Sequence, residues 1–344
     1  MSDEKKKHIH FDVVVGNPPY QEEAHGEQKT FTPSIYNDFM DGSFDVSNKV
    51  MLITPARFLF DAGNTSHKWN QKMLSDTHFK VLQYFANSSS VFPNMRIKGG
   101  VAVSFRNATQ DFGAIDTFVP FDELASTLHK VKSISKGSNI TSIIFNQNKF
   151  DLDELKKTYP NDTRHNKQLE SNVFSIYNIF TSYRKDDNQI KILGLEKNKR
   201  VFRYVDRKYI DLNNNNLFKY KVLVPQNNGS GTLGEILSTP LIGTPLIGYT
   251  RTFISFGAFS NQNEAKNCMK YIKTKFARAL LDTLKVTQHN SRNTWRNVPL
   301  QDFTVSSDID WNKSVYEIDQ QLYKKYGLNQ KEIDFIETHV KEMD

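Results

Sequence analysis

Asn17-Pro18-Pro19-Tyr20 combine groups able to hold a flat ring that carries an amine. The Asn17 side chain offers an amide oxygen, and proline carbonyls stay free to accept because neither ring contributes an N–H. Two acceptors side by side, Asn17 Oδ1 and the Pro18 carbonyl, can each take one hydrogen of an NH2 group. Tyr20 adds an aromatic face on which a planar ring can stack. A bare Pro-Pro after a strand would be a turn. Here the full tetrad follows a run of valines, and that context points to binding.

The elements that must position this tetrad come next. Val13, Val14 and Val15 leave no polar side, so residues 11–16 are expected as a strand buried on both faces. Residues 49–59 hold a second apolar run, closed by Thr54-Pro55. Residues 64–76 have a helical pattern, and 79–93 and 97–107 are expected as two further strands joined by a polar loop. Strand and helix alternate through the first 110 residues, which predicts an α/β sheet.

"FDVVVGNPPYQ" at 11–21 resembles the signature of S-adenosylmethionine-dependent amino-methyltransferases. "VFPNMRIKGGVAVSFRN" at 91–107 looks like the later motif of gamma-class N6-adenine DNA methyltransferases. The later segments "EAKNCMKYIKTKFARALL", "TQHNSRNTWRNVPLQDF" and "DIDWNKSVYEIDQQLYKKYGLNQKEIDFIE" are similar to the C-terminal recognition part of combined restriction–modification methylases of the type IIG kind. The resemblance spans most of residues 11–340. It implies an α/β chain: a partial Rossmann-like methyltransferase sheet, then a mixed α+β target-recognition domain and a C-terminal helical hairpin.

The same resemblance implies roles. Asn17 and Pro18 hold the amine of a flipped adenine and adjoin the cofactor, S-adenosylmethionine. Pro19 stiffens the turn, Tyr20 stacks on one face of the base, and Phe92, ahead of Pro93, covers the other. The amine nitrogen then attacks the methyl group directly, with no covalent enzyme intermediate. The base must first leave the duplex.

One departure stands out. The family's cofactor motif, Phe-x-Gly-x-Gly, precedes the Asn-Pro-Pro-Tyr strand, and only ten residues precede this strand here. "ISFGAFSN" at 254–261 is the nearest permuted copy and has one glycine where two are needed. The expectation is therefore an incomplete methyltransferase, part of a longer or split enzyme whose upstream piece would be a partner. Without a neighbouring strand, Val13–Val15 would form an exposed edge prone to self-association.

The domain reading follows these textures: 1–120 catalytic, 121–165 linker, 166–305 target recognition, 306–344 helical hairpin. In the hairpin Val315, Ile318, Leu322 and Tyr326 share a face, Gly327 ends the first helix, and Asn329 with Glu332 forms a capping box. The glycine loop at 227–234 lacks a following Gly-Lys-Ser/Thr and is expected as a hairpin connection. The echo "TPLIGTPLIG" at 239–248 is too short for a repeat architecture.

Double-stranded DNA is the expected partner. Lys285, Gln288, His289, Asn290, Arg292 and Arg296 form the richest polar cluster of the recognition region, with Trp295 for packing; a solvated loop is the equal alternative. Arg57 and Lys98 flank the catalytic strands and can meet phosphates. Lys plus Arg number 45 against 38 Asp plus Glu, a net charge of +7 that suits nucleic acid without requiring it. The lone Cys268 excludes an internal disulfide. No signal-peptide pattern or spanning apolar run is present, so a soluble cytoplasmic protein is expected, with no membrane partner and no metal. No convincing nuclease cluster occurs. The remaining alternatives are a non-catalytic DNA-specificity subunit or remnant, and a methyltransferase acting on RNA or on a protein amide.

Overall fold

The computed structural model describes residues 10–22, 32–163, 165–213, 216–285 and 287–343. Most of the basic N-terminal run and Val286 lie outside them. The chain divides into two compact units, Met1–Pro120 and Phe121–Asp344.

The first unit is a four-stranded mixed sheet with helices. Its elements are β1 (Val14–Gly16), α1 (Tyr36–Val46), β2 (Lys49–Pro55), α2 (His67–Ser75), β3 (Phe79–Phe85) and β4 (Val101–Asn107). The strand order is β1-β2-β4-β3. β1 runs parallel to β2, pairing Val14 with Val50 and Gly16 with Leu52. β4 is antiparallel to both β2 and β3. Period-two burial along β2 turns Val50, Leu52 and Thr54 inward. α2 starts on Ser66, whose hydroxyl accepts from the Trp69 amide at 3.2 Å, and it buries Trp69, Met73 and Leu74. These residues meet Phe58 and Phe79 in one apolar core.

Two expectations are corrected here. The segment is not buried on both faces: Val15 of β1 is 68% exposed and Val13, just before it, 52%; its place at the sheet edge is the one expected without a neighbouring strand. Its apolar run reads like a central strand, but only one edge is paired among the described residues. α1 was not anticipated. It lacks a side-chain N-cap and carries Gly42, both of which lower local helix preference. Burial of Tyr36 and Met40, one turn apart, holds it instead.

The second unit contains α3 (Asp122–Ser135), β5 (Ile144–Phe145), α4 (Leu152–Thr158), α5 (Val173–Ile176), β6 (Gln189–Glu196), β7 (Lys199–Asp206), β8 (Tyr220–Pro225), β9 (Leu241–Gly243), β10 (Ile247–Tyr249) and β11 (Phe253–Phe259). α6 (Gln262–Lys273), α7 (Lys275–Asp282), α8 (Val315–Lys325) and α9 (Gln330–His339) complete it. Two sheets result, β10-β6-β7 and β5-β11-β8-β9. The segment 121–165, expected as a linker, carries α3, β5 and α4, and α3 buries Leu124, Leu128 and Val131.

The two copies of Pro-Leu-Ile-Gly part company: one supplies β9 to β8, the other supplies β10 to β6. Gly257 marks a register shift between Phe256 and Phe259, and a Cβ there would sit 1.9 Å from the Phe259 ring. A β-bulge accounts for that glycine without any cofactor. The Asp319 carboxylate of α8 accepts from the Lys275 and Phe276 amides at 2.9 and 2.8 Å, closing the exposed start of α7. α8 and α9 each open on a capping box, Ser314 with Glu317 and Asn329 with Glu332. Among the described residues no helix is long and apolar enough to cross a membrane.

Candidate functional site

β1 delivers the chain to Asn17, which is exposed and whose side chain has no hydrogen-bond partner among the described residues. Beyond the prolines the chain is pinned again. The Ile35 amide donates to the Tyr20 carbonyl at 3.3 Å, and the Glu22 amide donates to the Pro33 carbonyl at 3.1 Å. Tyr20 packs on the apolar core of its unit. Its hydroxyl is buried with no partner among the described residues, and burial pushes the phenol up to about 12.

Phe92 is held by a separate device. Its amide donates to the Ser88 carbonyl at 2.8 Å. The Ser88 side chain is buried; its hydroxyl donates to the Met95 carbonyl and accepts from the Ile97 amide, each at 2.8 Å. Gly99 and Gly100 then return the chain to β4, both at positive φ. A Cβ at Gly100 would lie 2.3 Å from the Phe85 carbonyl oxygen, so only glycine fits that approach. The two anchored segments bring the Tyr20 and Phe92 rings together at 6.4 Å between centroids, with an interplanar angle of 74°.

Beside Tyr20 lies a cavity of about 460 Å³, with Tyr36, Arg57, Arg96, Ile97 and Lys98 in its wall. Arg57 and Lys98 thus share a pocket with Tyr20. Asn17, Pro18 and Phe92 are not among its lining residues. Arg96 was not singled out from sequence, although it stands two places from Lys98 in the same loop. Tyr36 belongs to the unanticipated helix α1.

The polar cluster of the second unit is divided by burial. Lys285 is 2% exposed, and its ammonium faces the Glu235 carboxylate at 3.6 Å. Asn290 is fully buried: its amide donates to the Pro225 carbonyl at 3.2 Å and accepts from the Trp295 indole at 2.6 Å. Both residues serve the fold of this unit, and neither presents a free edge to a duplex. Trp295 is buried against Phe256. Gln288, His289, Arg292 and Arg296 are exposed. Of these, Arg292 is tied to the Thr141 carbonyl at 2.8 Å.

The loop 226–240 joins antiparallel β8 and β9, and it is folded around its own acid. Burial pushes the Glu235 carboxyl up. The Ser230 hydroxyl, the Ser230 and Gly231 amides and the nearby Lys285 ammonium outweigh it and hold the group down at about 2.

Residues 2–92 match the Eco57I restriction-modification methylase family. Over 93 residues, 26% of this chain, the sequence is 32% identical to an "uncharacterized adenine-specific methylase" of Mycoplasma pneumoniae. The chain spans 22% of that relative's length. Among solved structures, the type IIG restriction endonuclease BpuSI aligns over 97% of this chain and 55% of that one, at 9% identity. The TM-score of 0.35 is too low for that likeness to carry an argument.

Proposed function

We propose that this chain belongs to an adenine-specific DNA methyltransferase of a restriction–modification system, and that the first unit captures the target base. One observation carries the reading. Within the segment matched by the methylase family, an Asn-Pro-Pro-Tyr turn leaves β1 with the Asn17 amide exposed and unpartnered. A buried amide would be spent on the fold. An exposed one beside a free proline carbonyl is available to a substrate amine. Asn17 Oδ1 and the Pro18 carbonyl accept the two hydrogens of adenine N6, which draws the nitrogen lone pair out of conjugation with the ring. Pro19 keeps the turn rigid, Tyr20 supports the extruded base, and Phe92 closes over it. The four strands of the first unit are read as the substrate half of a Rossmann-like methyltransferase sheet. Gln288, His289 and Arg296, exposed on the second unit, are read as contacts to duplex DNA, and that unit as the target-recognition part.

S-adenosylmethionine is the methyl donor that the methyltransferase family implies. The described residues do not build an enclosure for it. Asn17 and Pro18 stand at the end of an exposed edge strand, and the cavity beside Tyr20 is ringed by cations that repel a sulfonium. These residues supply the acceptor side of the reaction. A non-catalytic DNA-binding role is the second reading, favoured by that open edge.

Expression together with a methyltransferase half that carries the cofactor motif, in a host lacking adenine methylation, tests the choice. N6-methyladenine in one sequence context, lost with Asn17→Ala, is the expected result. A mark that survives Asn17→Ala would sink the site assignment, and no mark from the unaltered sequence would favour the non-catalytic reading.

A further inference from the structure

The wall of the Tyr20 cavity has an unusual charge pattern. It contains three cations, Arg57, Arg96 and Lys98, and no carboxylate among the described residues. None of the three is in an ion pair among the described residues. Arg57 is further constrained. Its stem passes between two left-handed glycines from different loops, Gly63 at φ +101° and Gly99 at φ +83°. A Cβ on Gly63 would lie 3.0 Å from the Arg57 Cβ, and one on Gly99 would lie 2.5 Å from its Cγ. The glycines make a slot that fits the arginine stem and admits no side chain of their own. An arginine held this way loses less freedom when it binds an anion than one that swings in solvent. Tyr36 and Tyr20 complete the wall with neutral phenols, both pushed up to about 12 chiefly by burial. The volume falls in the usual range of small-ligand pockets, roughly 300–1,000 Å³.

We infer that this cavity takes a backbone phosphate of the strand that carries the target base, with Arg57 as its anchor and Arg96 and Lys98 as its rim. The inference rests on the reading of Tyr20 as the support of an extruded base. It goes beyond that reading by giving the target strand's phosphate a defined seat, with roles for Arg57, Arg96 and Lys98 in holding it. A glutamine amide in a protein would bring no anion to three cations that lack an ion-pair partner among the described residues, whereas a nucleotide brings one with every base. Guanidinium planes match phosphate oxygens in pairs, which suits the slotted Arg57 to a positioning role.

The test is the salt dependence of duplex binding by the full chain, read by anisotropy of a fluorescein-labelled DNA. Each phosphate contact contributes about 0.9 to the slope of log affinity against log salt. Arg57→Gln and Lys98→Gln are each expected to flatten the slope by about 0.9. Arg57→Lys should restore most of it. Lys72→Gln, on an exposed lysine paired with Asp41, should leave it unchanged. Lys98 lies on an exposed loop, so its variant keeps the test valid if Arg57→Gln fails to fold. Tight duplex binding with the same slope in all variants would overturn the phosphate assignment and leave the methylase reading standing. Absent duplex binding, with capture of a glutamine-containing peptide instead, would overturn both.

Discussion

The Tyr20 and Phe92 rings meet edge to face, 6.4 Å between centroids and 74° between planes. That geometry is favourable for two aromatic rings by themselves, since the positive edge of one meets the negative face of the other. It is not a slot. A base cannot lie flat on both rings until one of them turns. On the proposed role of the two rings, base capture would exchange a ring–ring contact for two ring–base contacts.

Removing either ring should weaken capture. Phe92→Ala is expected to lower the affinity for an extruded base by about 1–3 kcal/mol, the loss of one stacking partner. A 2-aminopurine at the target position reports it: fluorescence should rise on binding to the unaltered protein and rise less with the variant. Equal signals would leave Phe92 as ordinary packing.

Tyr20→Phe should stabilise the first unit. The phenol oxygen is buried without a partner among the described residues, and an unmet buried hydroxyl costs about 1–3 kcal/mol. Phenylalanine keeps the face and removes that cost. A urea midpoint at or below that of the unaltered protein would show that the hydroxyl has a partner in solution.

Asn17→Ala should silence methyl transfer while changing stability by less than about 0.5 kcal/mol, because the residue is exposed and its side chain has no partner among the described residues. Duplex affinity should stay within about twofold, since phosphate contacts supply most of it. Transfer at the original rate would rule Asn17 out as an acceptor.

The second unit should lose stability in acid through Glu235. Its carboxyl falls from an ordinary 4.5 to about 2 in the folded chain. Between those values the unfolded chain binds the extra proton, so stability rises with pH across the window and is lost as pH falls through about 2. Thermal melts from pH 2 to 5 should show a shallower slope for Glu235→Gln. Identical slopes would mean that the Ser230 and Gly231 contacts do not persist in solution.

Much of the first unit was legible in the chain order of its residues. β2, α2, β3 and β4 fall inside the segments that period and punctuation predict, because apolar alternation and caps such as Ser66 act over a few neighbouring residues. The Asn329 capping box, with Gly327 before it at positive φ, was legible for the same reason. The groups that Asn17 to Tyr20 can offer are likewise a local matter, since four adjacent residues carry them together; the role proposed for them awaits the experiments above.

What tertiary structure decided depends on residues far apart in the chain. A strand covered on both faces and one covered on a single face have the same valines; what packs on each face makes the difference, and Val13 and Val15 are in the open. Lys285 and Asn290 look like surface groups in a polar stretch, yet Glu235, Pro225 and Trp295 draw both inside. Arg57 reaches the Tyr20 cavity because Gly63 and Gly99, from two different loops, close on its stem. Local sequence states which groups a segment can offer. Packing between distant segments sets which of them are satisfied within the fold and which, like the exposed Asn17 amide, keep no partner among the described residues.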